Sequence, residues 1–168
     1  GVHRFAIADA ATKHDEATAA SQVTAQQLRD STRKLLGSGA GFYPLFNRNK
    51  KSLAVDLQHP EGCALVLRLL RTADVLTENF RPGALDRLGF SYQKLKEENP
   101  RLIYCSLKGF LHGPYEHRPA LDEVTQMMGG LAYMTGLPER PLRAGASVVD
   151  IMGGTFAAVG VLAALRRR

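Results

Sequence analysis

Three short apolar runs, Ser52 to Leu57 (SLAVDL), Ala73 to Glu78 (ADVLTE) and Leu102 to Leu107 (LIYCSL), are separated by segments that carry helical signals. Pro60 stands where its missing N–H would be unpaired anyway, in the first turn of a helix reaching about Thr72. Leu65, Leu69 and Leu70 run along one side of that helix. After the second run, Pro82-Gly83 turns the chain, and two short helices follow around Leu85 to Leu88 and Tyr92 to Glu98. Parallel strands need crossover connections, and those crossovers cover the sheet. The alternation therefore predicts an α/β domain in which the three strands pair in one open parallel sheet of doubly wound order.

The flanks differ in character. Residues 9 to 27 (DAATKHDEATAASQVTAQQ) contain Val23 as their one large aliphatic residue and no aromatic, too little to bury. Residues 1–40 accordingly read as a surface helix or tail, and residues 41–168 as the packed domain. From Pro119 to about Thr135, Leu121, Val124, Met128 and Leu131 follow at helical spacing and predict one amphipathic helix, interrupted by Gly129-Gly130. The last helix starts near Asp150 and is apolar all round, which predicts burial. Ile151 to Leu165 would extend only about 22 Å as helix, short of the roughly 30 Å of a bilayer core. Extending it backwards brings in Asp150, so the expectation is a core helix and no membrane partner. A charged start followed by an apolar run is missing, so the expected location is the cytoplasm, or a mitochondrion or peroxisome if eukaryotic.

Charge and composition remove several functions. The chain of 168 residues carries 22 Lys and Arg against 16 Asp and Glu, but three of the basic residues are Arg166 to Arg168. Aromatics make up 7%, too few for a surface that stacks bases, and no zinc-finger or leucine-zipper spacing occurs, so no nucleic-acid partner is expected. Two cysteines exclude a disulfide scaffold. The five histidines include no pair at helical metal-ligand spacing, so no metal is expected.

In open α/β sheets ligands bind beyond the carboxyl ends of the strands. Glu78-Asn79-Phe80-Arg81-Pro82-Gly83 and Lys108-Gly109-Phe110 occupy such places. Each combines a polar or basic group, an aromatic and a glycine, which serves turn chemistry or ligand binding. Asn47-Arg48-Asn49-Lys50-Lys51 is either a solvated loop or a phosphate contact through Arg48 and Lys50. Asp150, at the head of an apolar helix, is either its N-cap or a carboxylate nucleophile. Asp122 and Glu123 are a further acidic pair, such as helix first turns attract.

The segments NRNKKSLAVDLQHPEG, ADVLTENFRPGALDRLGF, NPRLIYCSLKGF, GPYEHRPALDEVTQMMGGLAYMTG and RAGASVVDIMGG, in this order and spacing, resemble the family III coenzyme A transferases over about Gly41 to Arg168. The resemblance implies a Rossmann-like large domain, here a partial one, and a homodimer of interlocked chains. It implies Asp150 as the nucleophile, in VVDIMGG, with Glu123 as a second catalytic acid. It implies coenzyme A contacts at Asn79, Phe80, Arg87 and Leu88. The activity implied is transfer of coenzyme A from an acyl-CoA thioester to a carboxylic acid through an aspartyl anhydride, with coenzyme A entering as substrate. The family's opening strand and glycine-containing loop do not match residues 1–40, and its small domain does not follow, so a truncated chain is expected, for which activity alone and inactivity alone are both open readings. Three other readings share these residues: an acyl-CoA isomerase, a racemase, and an inactive interaction module. A racemase would need a histidine just before Asp122, where Leu121 stands.

Overall fold

The strands and helices expected between residues 51 and 168 form close to their predicted bounds in the computed structural model, which describes residues 2–7, 46, 47 and 49–168. Of the surface helix or tail expected over residues 1–40, only residues 2–7 are described, and these form a strand; the rest lies outside the described residues, as does Arg48. The chain divides into two units, Gly1–Cys63 and Ala64–Arg168.

In the first unit, β1 (Val2–Ile7) pairs antiparallel with β2 (Lys51–Asp56), Val2 opposite Asp56 and Ile7 opposite Lys51. This corrects the expectation of one three-stranded parallel sheet, because β2 shares no ladder with the other two strands. A strand's N–H and C=O groups are satisfied by any partner of matching spacing, and VHRFAI supplies one in the antiparallel sense. Val55 and Leu57 are buried. Beyond β2, the Asp56 carboxylate accepts the Gln58 N–H at 2.9 Å and turns the chain into α1 (Pro60–Leu70). A Cβ on Gly62 would lie 2.0 Å from the Asp56 carbonyl oxygen, so only glycine lets the helix start this close to the strand.

In the second unit, β3 (Val75–Glu78) and β4 (Ile103–Ser106) pair in parallel, with Glu78 opposite Ser106. Between them run α2 (Ala84–Arg87) and α3 (Tyr92–Glu98). Gly83 and Gly89, at φ of 72° and 84°, make the left-handed turns on either side of α2. The Ser91 side chain caps α3 by accepting the Lys94 N–H. Val66 and Leu70 of α1, with Leu85, Phe90, Leu95 and Ala132, are the buried apolar residues of this unit.

Two expectations about the later helices change. The stripe from Leu121 to Leu131 runs over α4 (Asp122–Met128) and α5 (Leu131–Thr135), which part at the expected Gly129-Gly130, with Gly130 left-handed at φ 81°, but the stripe does not mark the buried face. The face of α4 that is buried is the polar one, Asp122 and Gln126, whereas Leu121, Val124 and Met128 are exposed. The reason is that hydrogen-bond partners for both buried side chains lie on that side. The last helix, α6 (Val148–Arg167), packs against α4 and β4 but has no buried residue, and Ile151, Phe156, Val159 and Leu162 are exposed. Its predicted burial is thus not found. By length and composition alone it is the one described helix able to cross a membrane.

Asn99 holds the turns of the second unit together. Its buried side-chain amide donates to the carbonyls of Leu70 and Ala73, both at 2.9 Å, and its oxygen accepts the Arg101 N–H at 3.1 Å. The Asn99→Ala variant strands these backbone groups. A stability loss of about 1–3 kcal/mol is expected in urea denaturation. An unchanged midpoint would show that the amide is not what joins α1 to β4.

Candidate active site

The carboxyl ends of β3 and β4 open on the same side because the strands are parallel. Glu78, the last residue of β3, is only 7% exposed, and a buried carboxylate is tolerated only where donors surround it. Its oxygens accept the Phe80 N–H at 2.8 Å, the Ser106 hydroxyl, and the Lys108 ammonium at 2.7 and 2.8 Å. Lys108 also donates to the Phe80 carbonyl at 2.6 Å. The loop after β3 is therefore bound to the loop after β4 by one ion pair. Sequence reasoning placed both segments at the strand ends but missed Glu78 as their junction. An acid closing an otherwise apolar strand was the available signal.

A cleft of about 250 Å³ lies against this ion pair, lined by Arg81, Asp86, Tyr92, Tyr104 and Lys108 among others. Of the Glu78–Gly83 segment, Glu78, Arg81 and Gly83 line this cleft, and Asn79, Phe80, Arg87 and Leu88 are not among its lining residues. Asn79 and Arg87 are exposed; Phe80 and Leu88 are half-buried. An Arg87 guanidinium nitrogen stands 3.3 Å from where a Gly83 Cβ would be, so its side chain folds back over the start of α2. Lys50 belongs to the first unit and is exposed.

The acids on the helices fall differently from the sequence pattern. Asp150 is the third residue of α6 and exposed, and Ser147 occupies the cap position. The N-cap reading of Asp150 is thereby removed. Ser147 makes no side-chain capping bond. Instead Oδ1 of Asp122, from α4, accepts the N–H groups of Val149 at 2.9 Å and Asp150 at 3.2 Å. Glu123, beside it, is exposed. Sequence reasoning noted Asp122 only as a first-turn acid, although Gln126 one helical turn later was a sign of a polar buried face. No cluster of three or more His, Cys, Asp or Glu suited to a metal occurs among the described residues.

Burial first, then the nearby carboxylates of Glu78 and Asp86, pushes the Tyr104 hydroxyl up from 10.0 to about 12. Between those values the native state keeps a proton that the unfolded chain has lost, so stability falls as pH rises through that window. Urea midpoints measured from pH 9.5 to 11.5 should fall less steeply in Tyr104→Phe than in the unaltered protein. Equal slopes would place Tyr104 in water. Lys108→Met, which leaves Glu78 buried without its cation, should cost about 3–5 kcal/mol in the same denaturation at pH 7.

Known proteins are similar to this chain in sequence and fold. The model of CoA-transferase family III matches residues 21–168. A succinate–glutarate CoA-transferase of Agrobacterium fabrum is 45% identical over 128 residues, 75% of this chain and 32% of that protein. A formyl-CoA:oxalate CoA-transferase of Rhodopseudomonas palustris is 44% identical over 128 residues, 76% of this chain and 30% of that protein. Among solved structures, a CAIB/BAIF family protein from Brucella suis matches with a TM-score of 0.65 and 43% identity, over 68% of this chain and 31% of that one. The α/β, Rossmann-like fold expected from the sequence is therefore shown. The chain spans about a third of the length of the curated relatives it matches.

Proposed function

Because the chain belongs to CoA-transferase family III, we propose that it carries the nucleophile-bearing part of an enzyme that moves coenzyme A from an acyl-CoA thioester to a carboxylic acid. The observation that carries this reading is the run of matched residues reaching Asp150, whose carboxylate is exposed in the first turn of α6. Glutarate, succinate and oxalate, the acids named for the relatives, are the first acceptors to try.

The chemistry follows from a carboxylate meeting a thioester. An Asp150 oxygen attacks the acyl carbonyl, the C–S bond breaks, and the coenzyme A thiolate leaves, giving an acyl-aspartyl anhydride. The thiolate returns to the aspartyl carbonyl, releasing the donor acid and leaving an aspartyl thioester. The acceptor carboxylate attacks that thioester, forms a second anhydride, and expels the thiolate again. The thiolate then takes the acceptor acyl group and frees Asp150. Each tetrahedral step needs a donor aimed at the developing oxyanion, worth about 3–4 kcal/mol.

Asn79, Phe80, Arg87 and Leu88 are the proposed contacts for coenzyme A, with Arg48 and Lys50 as cations for its phosphates and Glu123 as a second acid at the acyl end. The whole protein, on this reading, acts as a homodimer in the cytoplasm or an organelle interior. The contact of α6 with β4 and the ion pair of Arg168 with Asp74, at 2.6 Å, favour a protein interior over a bilayer for that helix.

Asp150→Asn tests the assignment, because asparagine keeps the shape but is a poor nucleophile. Incubation with acetyl-CoA, succinyl-CoA or formyl-CoA, followed by peptide mass spectrometry, should find the acyl group on Asp150 and none in the variant. Transfer to the acceptor acids should fall by at least about a thousandfold, about 4 kcal/mol of barrier. Normal turnover by the Asn variant, with deamidation excluded by mass, would overturn the nucleophile assignment.

A further inference from the structure

We propose that Asp122 is the positioning residue for the Asp150 nucleophile, an inference that rests on the nucleophile reading above and goes beyond it. The first N–H groups of an α-helix lack intrahelical partners and normally take a side chain at the N-cap. Ser147 stands at that position with φ −75° and ψ 67° and makes no such bond. The acceptor comes from another helix, since Asp122 Oδ1 receives both Val149 N–H and Asp150 N–H. The second of these is the amide of the nucleophile itself. Its donor bond fixes the peptide plane from which the Asp150 side chain departs, and so the line along which its oxygen meets a carbonyl.

The carboxylate that does this is itself immobilised. Asp122 is 4% exposed, and its Oδ2 accepts Gln126 Nε2 at 2.5 Å. Gln126 is fully buried and cannot turn over, because its Oε1 accepts the Ala144 N–H at 2.7 Å while Nε2 also donates to the Ala146 carbonyl at 3.2 Å. An Arg143 nitrogen lies 3.7 Å from Asp122 Oδ2 and compensates part of the buried charge. No buried side-chain nitrogen or oxygen among the described residues is left without a partner. The chain of contacts therefore runs from the 144–146 loop through Gln126 and Asp122 to the Asp150 amide. A network satisfied at every member specifies one arrangement, whereas a lone cap would leave the helix start free to fray. Nucleophilic attack is sensitive to such placement, and misalignment of about 1 Å costs on the order of a hundredfold.

The test uses the whole protein of which this chain is the nucleophile-bearing part, and reads single-turnover acylation of Asp150 by acetyl-CoA, succinyl-CoA or formyl-CoA, whichever acylates the unaltered protein fastest. Asp122→Ala should acylate at least tenfold more slowly at saturating thioester, with the half-saturating thioester concentration unchanged within twofold. Asp122→Asn, which keeps an oxygen facing the two amides, should remain within about threefold of the unaltered rate. A purely structural Asp122 would lower the melting temperature of the Ala variant but leave the rate of its folded fraction intact, and that result overturns the proposal. Should Asp122→Ala fail to fold, hydrogen exchange in the unaltered chain decides. Slow exchange at the Val149 and Asp150 amides, together with near-normal acylation by Asp122→Asn, supports the bridge; exchange as fast as in exposed loops refutes it. Failure of the nucleophile reading looks different, since the unaltered protein itself would then carry no acyl group on Asp150, and the positioning role would fall with it.

Discussion

A single buried carboxylate, that of Glu78, decides what the carboxyl ends of the parallel strands present. Removing a carboxylate from water costs several kcal/mol even after relaxation, so it is stable there only with its lone pairs filled. Here they are filled by donors from three places: its own following loop, the end of β4, and the ammonium of Lys108. Parallel register makes this convergence possible, because Glu78 lies opposite Ser106 and both chains then leave the sheet on one side. Asn79, Phe80 and Arg81 depart from that junction. Their placement is a consequence of an electrostatic requirement at Glu78, not of any preference of their own.

Asp122 solves the same problem with a different kind of donor. The groups it satisfies belong to the backbone at a helix start, where four N–H groups would otherwise face water or nothing. A buried acid and a helix start are each unfavourable alone and favourable together. Both buried acids thereby turn a local liability into a tertiary link: Glu78 between two loops, Asp122 between two helices. This also explains why the apolar residues of α4 point outward. The side of α4 carrying Asp122 and Gln126 must face the start of α6 and the 144–146 loop, and Leu121, Val124 and Met128 take what remains.

Much of the secondary structure was legible because it rests on local chemistry. Pro60 marked a helix start, Pro82-Gly83 a turn, Gly129-Gly130 a break, and three apolar runs became three strands at nearly the expected residues. Pairing was not legible, because a strand's ladder depends on which partner arrives. The run at Ser52 to Leu57 carried no mark of joining β1 rather than β3 or β4. The site was legible as a set of segments and not as a set of bonds. Asp150 at a helix head is a sequence pattern, but its shift from cap to third residue is set by Ser147 and by an acid twenty-eight positions earlier. Periodicity weighs apolar residues and is blind to a buried face made of Asp122 and Gln126.

The exposed surface of α6 shows most clearly where composition stops being informative. An apolar helix is expected inside because transferring each large side chain from water is worth about 1.5–3 kcal/mol. That argument states what the helix gains from cover, and says nothing about where the cover comes from. Among the described residues, α4 and β4 reach only part of its circumference, and Phe156 stays 66% exposed. Its two ends are nevertheless fixed by polar contacts, Asp122 at the first turn and Asp74 at Arg168. A helix held at its ends keeps its direction whatever covers its middle. The Asp150 backbone is therefore set by hydrogen bonds within these residues, while burial of the rest of α6 is a separate matter of apolar contact.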